Sequence, residues 1–139
     1  MPANVTPALA REASRIATRI AKAFDYVGVL AVEMFVVSNG RRQAVLVNEI
    51  APRVHNSGHW TIDGATVSQF EQHIRAIAGW PLARPVRLGQ RVEMVNLIGA
   101  EVNEAARWLT VSGTAVHIYG KGEARSRRKM GHVTRVWPR

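Results

Sequence analysis

The chain has 139 residues and is 47% hydrophobic, enough to bury the core of one domain or of one with a small appendage, and too apolar for a disordered chain. It contains no cysteine, which excludes disulfides and thiolate metal sites and suits a cytoplasmic protein. Its net charge of +9 leaves anionic partners open: nucleic acid, an anionic membrane face or a small phosphorylated ligand.

Thr6-Pro7 is a helix start, a hydroxyl that caps followed by proline at the first helical position. Leu9, Ala13, Ile16, Ala17, Ile20 and Phe24 recur at helical spacing, which predicts a surface helix ending near Asp25. Val27 to Val37 reads as a strand buried on both faces; Val27 to Val32, its longest apolar run, is far too short to span a membrane. Ser38 to Gln43 is a turn and Ala44 to Ile50 a second strand, so the two make a hairpin. After a short link, Thr61 to Ala65, a helix is predicted from Ser68 to Ala78, with Ser68 and Glu71 spaced as a capping box and Phe70, Ile74 and Ile77 facing inward.

Gly79 to Gly89 carries two prolines and two glycines and marks the best boundary in the chain. Beyond it, Val92 to Ile98, a weakly patterned segment to Leu109, Thr114 to Tyr119 and Met130 to Trp137 all read as strands. The order of helix, hairpin, helix and β-rich unit is α+β, with domains expected over 1–80 and 81–139. Positive charge gathers at the C-terminus, where Lys121, Arg125, Arg127, Arg128, Lys129, Arg135 and Arg139 face Glu123 alone. No aromatic residue lies between Lys121 and Lys129, where the charge is densest, so base stacking is poorly supported and no nucleic-acid partner is expected.

Glu33 sits in the apolar strand and Glu49 in its neighbour. An unpaired buried carboxylate costs several kcal/mol, on the order of other buried charges, so each needs a partner or an open end of the sheet. If the hairpin loop is centred on Arg41, the two acids face each other; if Asn39-Gly40 is a tight turn, Glu33 opposes Leu46 instead. Facing carboxylates repel unless a divalent cation sits between them. The plainer reading is a strand-end glutamate paired with an arginine.

Asn48 to Trp60, "NEIAPRVHNSGHW", crowds an acid, an arginine and two histidines into thirteen positions directly after a buried strand. Its continuation to Ile77, with "YVGVLAVEMFV", "VNLIG" and "YGKGEARSRRKMGHV", resembles the 5-(carboxyamino)imidazole ribonucleotide synthases. These are the ATPase component of phosphoribosylaminoimidazole carboxylase, in the ATP-grasp superfamily. The resemblance runs from about residue 5 to the C-terminus. It implies the C-terminal part of an ATP-grasp domain, an antiparallel sheet with flanking helices, followed by a small β-rich domain. The implied reaction joins bicarbonate to aminoimidazole ribonucleotide in purine biosynthesis, using ATP and Mg2+ and passing through carboxyphosphate.

The resemblance also assigns roles. Glu33 and Glu49 correspond to magnesium ligands, with Asn48 beside them near the ATP phosphates. Arg53 and His55 correspond to the groups that hold bicarbonate or carboxyphosphate, with Asn56 beside them. Lys121 and Arg128 correspond to a basic pair for the ribonucleotide phosphate and the reacting anion; Arg53, His55 and Lys121 are the catalytic candidates. Ser126-Arg127 stands where many relatives have proline-glycine, which leaves Arg127 and Arg128 as rival phosphate ligands. Gly58 is read as permitting a tight turn. The family's nucleotide-fold and lid domains have no counterpart in this sequence, so a fragment inactive on its own is expected, with a homodimer as its assembly. A formyl-transferring ATP-grasp enzyme and a basic nucleic-acid-binding module are the alternatives.

Overall fold

The structure, a computed structural model, describes residues 4–40 and 42–138, so Arg41 and Arg139 lie outside it. In chain order it contains α1 (Pro7–Ala23), β1 (Ala31–Asn39), β2 (Arg42–Ala51), a 3-10 turn (Asn56–Gly58), α2 (Thr61–Gly64), α3 (Gln69–Ile77), β3 (Arg91–Ile98), a 3-10 segment (Gly99–Thr110), β4 (Thr114–Ile118) and β5 (Lys129–Trp137). These fall into two compact units: residues up to Gly58 with Gln69–Ala83, and His59–Ser68 with Arg84 onward. The class is α+β with antiparallel sheets, as expected. Among the described residues no helix is long and apolar enough to cross a membrane.

In the hairpin unit, α1 begins as its sequence dictates: the Thr6 hydroxyl accepts from the Leu9 N–H at 3.3 Å, Pro7 opens the helix and Leu9 is buried. Lys22 in the last turn complements the helix dipole. β1 starts four residues later than its apolar run suggests. Gly28 holds φ at +148°, a conformation glycine tolerates, and the Tyr26 hydroxyl donates to the Val29 carbonyl at 3.0 Å, fixing this approach as a loop.

Two burial expectations fail here. β1 is not buried on both faces, since Phe35, Val36 and Val37 are exposed, and α3 leaves Phe70, Ile74 and Ile77 exposed as well. For β1 the cause is that it pairs with β2 alone among the described residues, and a two-stranded sheet cannot cover both of its own faces. Beside that stripe on α3, Arg75 reaches back one turn to Glu71 at 2.6 Å and donates to the Pro81 carbonyl at 3.1 Å.

The other unit is built around β5, the central strand of an antiparallel sheet ordered β3-β5-β4. Met130 through Thr134 are all buried. Leu97, Ala105 and Val133 form the core, packed by Val102, Trp108 and Val116. The segment after β3 is a 3-10 helix and not a strand. Gly99 takes φ +55° and stops the strand, and the Glu101 carboxylate accepts from the Ile98 N–H at 2.8 Å. Val102, Ala105 and Trp108 then recur every third residue, the period at which 3-10 side chains eclipse, and all three reach the core. The expected link after Trp60 is the single turn α2, held close to β3: a Cβ on Gly64 would meet Val92 at 2.7 Å.

Candidate functional site

A bulge decides where the acids point. At the hairpin tip the pairing is Asn39↔Arg42 and runs in step to Met34↔Val47, which matches neither register offered by the sequence. Continued unbroken, it would set Glu33 opposite Asn48 and turn Glu49 to the other face. One extra residue on β2 intervenes between Glu33 and Met34, and the pairing resumes as Glu33↔Glu49. Both carboxylates therefore share a face. Glu33, Glu49 and His55 each bring one donor atom to within 4.8 Å of the others.

His55 is held from three sides. Its backbone N–H donates to Gln69 Oε1 at 2.9 Å, and Gln69 Nε2 donates to its carbonyl at 2.8 Å. Ser57 supplies its N–H to the ring Nδ1 at 3.3 Å and its hydroxyl lies 2.9 Å from the same atom. With Nδ1 accepting, Nε2 carries the hydrogen that it directs at Glu33 Oε1, 3.1 Å away. Asn48 Nδ2 reaches Glu33 Oε2 at 3.5 Å. Arg53 stands outside this cluster, its Nη1 donating to the Val54 carbonyl at 3.0 Å, and Asn56 opens the 3-10 turn. Gly58 serves close approach and not an unusual dihedral. It is absent from the positive-φ glycines, but a Cβ there would lie 2.5 Å from Gln69 Oε1.

Lys121 and Arg128 come together in the other unit. Lys121 Nζ donates to the Lys129 carbonyl at 3.0 Å, and Arg128 Nη1 lies 3.5 Å from the Lys121 carbonyl. Arg127 takes φ 62°, the left-handed conformation that glycine adopts without strain. It is a turn residue, and its neighbour Arg128 is the one that pairs with Lys121.

Beneath Lys121 lies a cluster that sequence reasoning did not assemble. The ammonium sits 5.1 Å from the Tyr119 ring centroid, and the Tyr119 hydroxyl is 2.7 Å from His132 Nδ1. His117 stacks on His132 at 4.6 Å and its Nε2 meets Asp63 Oδ2 at 2.9 Å. Burial, then the neighbouring His117 and His59, lower the His132 pKa to about 4, against an upward pull from Asp63. The available signal was the alternation of β4 carried one residue past its end, which sets His117 and Tyr119 on one face. Gln69 was also missed, and nothing in its local sequence marks it; Ser57 lies in the run Asn48 to Trp60, but its role on the His55 ring was not assigned.

With these geometries in view, comparison with known proteins places the chain. Residues 1–70 match the ATP-grasp domain, and residues 93–138 match the phosphoribosylaminoimidazole carboxylase C-terminal domain. The chain belongs to the ATP-grasp family. More particularly, it is 48% identical over 139 residues to the N5-carboxyaminoimidazole ribonucleotide synthase of Brucella melitensis, covering 100% of this chain and 37% of that protein. An ADP complex of an N5-carboxyaminoimidazole ribonucleotide synthetase superposes with TM-score 0.84 at 44% identity, covering 96% of this chain and 35% of the other. The Aspergillus clavatus synthase in complex with ADP and 5-aminoimidazole ribonucleotide gives TM-score 0.80 at 36% identity, over 98% and 37% of the two chains. The chain thus spans little more than a third of the length of these relatives.

Proposed function

We propose that this chain supplies the cation- and anion-holding part of an ATP-dependent ligase that carboxylates aminoimidazole ribonucleotide with bicarbonate, in a cytoplasmic purine pathway. The observation that carries this reading is the bulged pairing that sets Glu33 and Glu49 on one face with His55. Two carboxylates fit Mg2+, which takes one or two of them and fills its octahedron with water and phosphate oxygens. Mg2+ there would neutralise charge on the ATP phosphates.

Bicarbonate oxygen attacks the γ-phosphorus of ATP, and ADP leaves with the electrons of the broken bond. The ribonucleotide amine then attacks the carboxyl carbon, phosphate departs, and the amine loses its proton. This chain's residues mainly position these groups and neutralise charge. Arg53 offers a planar fork to the carboxyl oxyanion, and Asn48 and Asn56 add amides beside the phosphates and the carboxyl group. His55, held by Gln69 and Ser57, presents Nε2–H along a fixed line. Lys121 and Arg128 hold the ribonucleotide 5′-phosphate and the reacting anion. Both are tied into one loop by backbone carbonyls, which favours a pocket role over a free nucleic-acid-binding tail.

A hybrid enzyme tests the proposal: this chain replaces the matching third of the Brucella melitensis relative. It should release phosphate only with ATP, Mg2+, bicarbonate and ribonucleotide together, and Glu49→Gln should cut turnover ~100-fold or more while leaving thermal stability unchanged. A folded hybrid that binds ATP yet releases no phosphate, or one indifferent to Glu49→Gln, refutes it. A homodimer belongs to the same proposal, supported by the exposed Phe35, Leu46 and Ile50, and is read by sedimentation equilibrium.

A further inference from the structure

We propose that Asp63, His117 and His132 form a second cation site, independent of Glu33 and Glu49 and suited to Zn2+ or a similar transition-metal dication. His117 and His132 are directly paired across β4 and β5, which is why their rings stack, 15° from parallel. Asp63 reaches them from α2. Each of the three residues brings one donor atom to within 4.8 Å of the other two.

The buried partner of the set is the one left incomplete. His132 is 1% exposed, and its Nε2 has no hydrogen-bond partner among the described residues. Its other nitrogen is engaged by Tyr119 at 2.7 Å. Buried ring nitrogens are normally satisfied, so an orphan beside an imidazole and a carboxylate calls for an explanation. A bound cation provides one. If Nδ1–H donates to the Tyr119 oxygen, Nε2 holds a lone pair, and an outer-shell bond of this kind is what fixes the tautomer of a metal-ligating histidine.

The donor set selects the metal class. Two imidazoles and one carboxylate favour Zn2+, Co2+ or Ni2+ over Mg2+, which prefers oxygen. Asp63 and His117 are only half-buried, so an ion has a path in. Zinc would part the 2.9 Å contact between them to roughly 3.3 Å, the spacing of two ligands at tetrahedral angles around a 2.0–2.1 Å centre. Occupancy would clip α2 to the sheet and leave a fourth position open to water.

The test uses the 139-residue chain stripped with chelator and titrated with Zn2+ by calorimetry and with Co2+ by visible absorption. Carrying Glu33→Gln and Glu49→Gln together removes the other cluster from the measurement. One equivalent should bind, the melting temperature should rise with Zn2+ and fall back with chelator, and Co2+ should develop ligand-field bands. Asp63→Asn and His117→Gln should weaken binding ~10-fold or more, and Tyr119→Phe ~10-fold through the outer-shell bond alone. Circular dichroism verifies that each variant is folded, and Asp63→Asn and Tyr119→Phe leave the buried histidine in place. Absence of saturable binding, binding lost with the two glutamates, or affinity unchanged in all three variants overturns the proposal.

Discussion

Replacing Gly58 with alanine probes the packing behind His55. The added Cβ would lie 2.5 Å from Gln69 Oε1 and 2.8 Å from its Cδ, so the amide must retreat by about 1 Å to reach ordinary contact. It cannot do so freely, because both of its polar atoms are bonded to the His55 backbone at 2.9 and 2.8 Å. Losing one such bond with its partner left buried costs about 1–3 kcal/mol, and the alanine recovers up to roughly 0.5–1 kcal/mol by restricting the unfolded chain. Gly58→Ala should therefore destabilise its unit by about 1 kcal/mol. Gln69→Ala alone should cost about 1–3 kcal/mol, since it strands the His55 N–H, while the His55 carbonyl still accepts from the Gly58 N–H at 2.9 Å. In the Gln69→Ala background the obstruction is gone, so Gly58→Ala should stabilise by about 0.5–1 kcal/mol, a coupling of about 2 kcal/mol. Urea denaturation followed by circular dichroism gives the free energies, and hydrogen exchange at the His55 amide reads the contact itself. Two costs that add to within about 0.5 kcal/mol would show that Gly58 is not reserved for Gln69.

Three further outcomes are expected. The folded state holds His132 neutral, with its pKa lowered to about 4, so the unfolded chain binds more protons between pH 6.5 and 4. Stability from this group is complete above pH 6.5 and drains away as pH falls toward 4, by roughly 2 kcal/mol after allowance for solvent around its half-buried neighbours; denaturation in chelator at stepped pH shows it, and His132→Gln should remove the slope. Arg127→Gly relieves a left-handed residue at φ 62° and should stabilise the chain by about 0.5–1 kcal/mol in thermal melts, whereas a loss of stability would show that the arginine side chain anchors the turn. Leu97→Ala, at a position 2% exposed in the core beside Trp108, should cost about 3 kcal/mol by tryptophan-monitored unfolding; under 1 kcal/mol would mean that this core does not hold the unit.

Local chemistry made much of the chain legible. Thr6-Pro7 located α1 because capping and proline placement act within one turn, and the valine-rich hairpin and the two C-terminal strands followed from their side chains. What the sequence could not reveal depended on distant partners. The stripe Phe70, Ile74 and Ile77 reads as core, yet all three are exposed, because apolar spacing marks a face of the helix and not what packs against it. The 3-10 segment was missed because its three-residue spacing, Val102, Ala105 and Trp108, falls between the helical and strand periods. At the candidate site, Glu33, Glu49 and His55 were found from residue type and family pattern, and they lie together. Gln69 and the cluster of Asp63, His117 and His132 were not, since they meet across 14, 54 and 15 residues of chain.

The bulge beside Glu33 also divides the hairpin into two stretches of different pairing phase. The tip keeps one pairing phase from Met34 to Asn39, and the acid pair takes a phase shifted from it by the one extra residue. A peptide spliced in after Gly40 would lengthen the connection and leave the carboxylates where they are. Gly40 therefore offers a grafting point for an affinity tag or a fluorophore close to the cation-binding face.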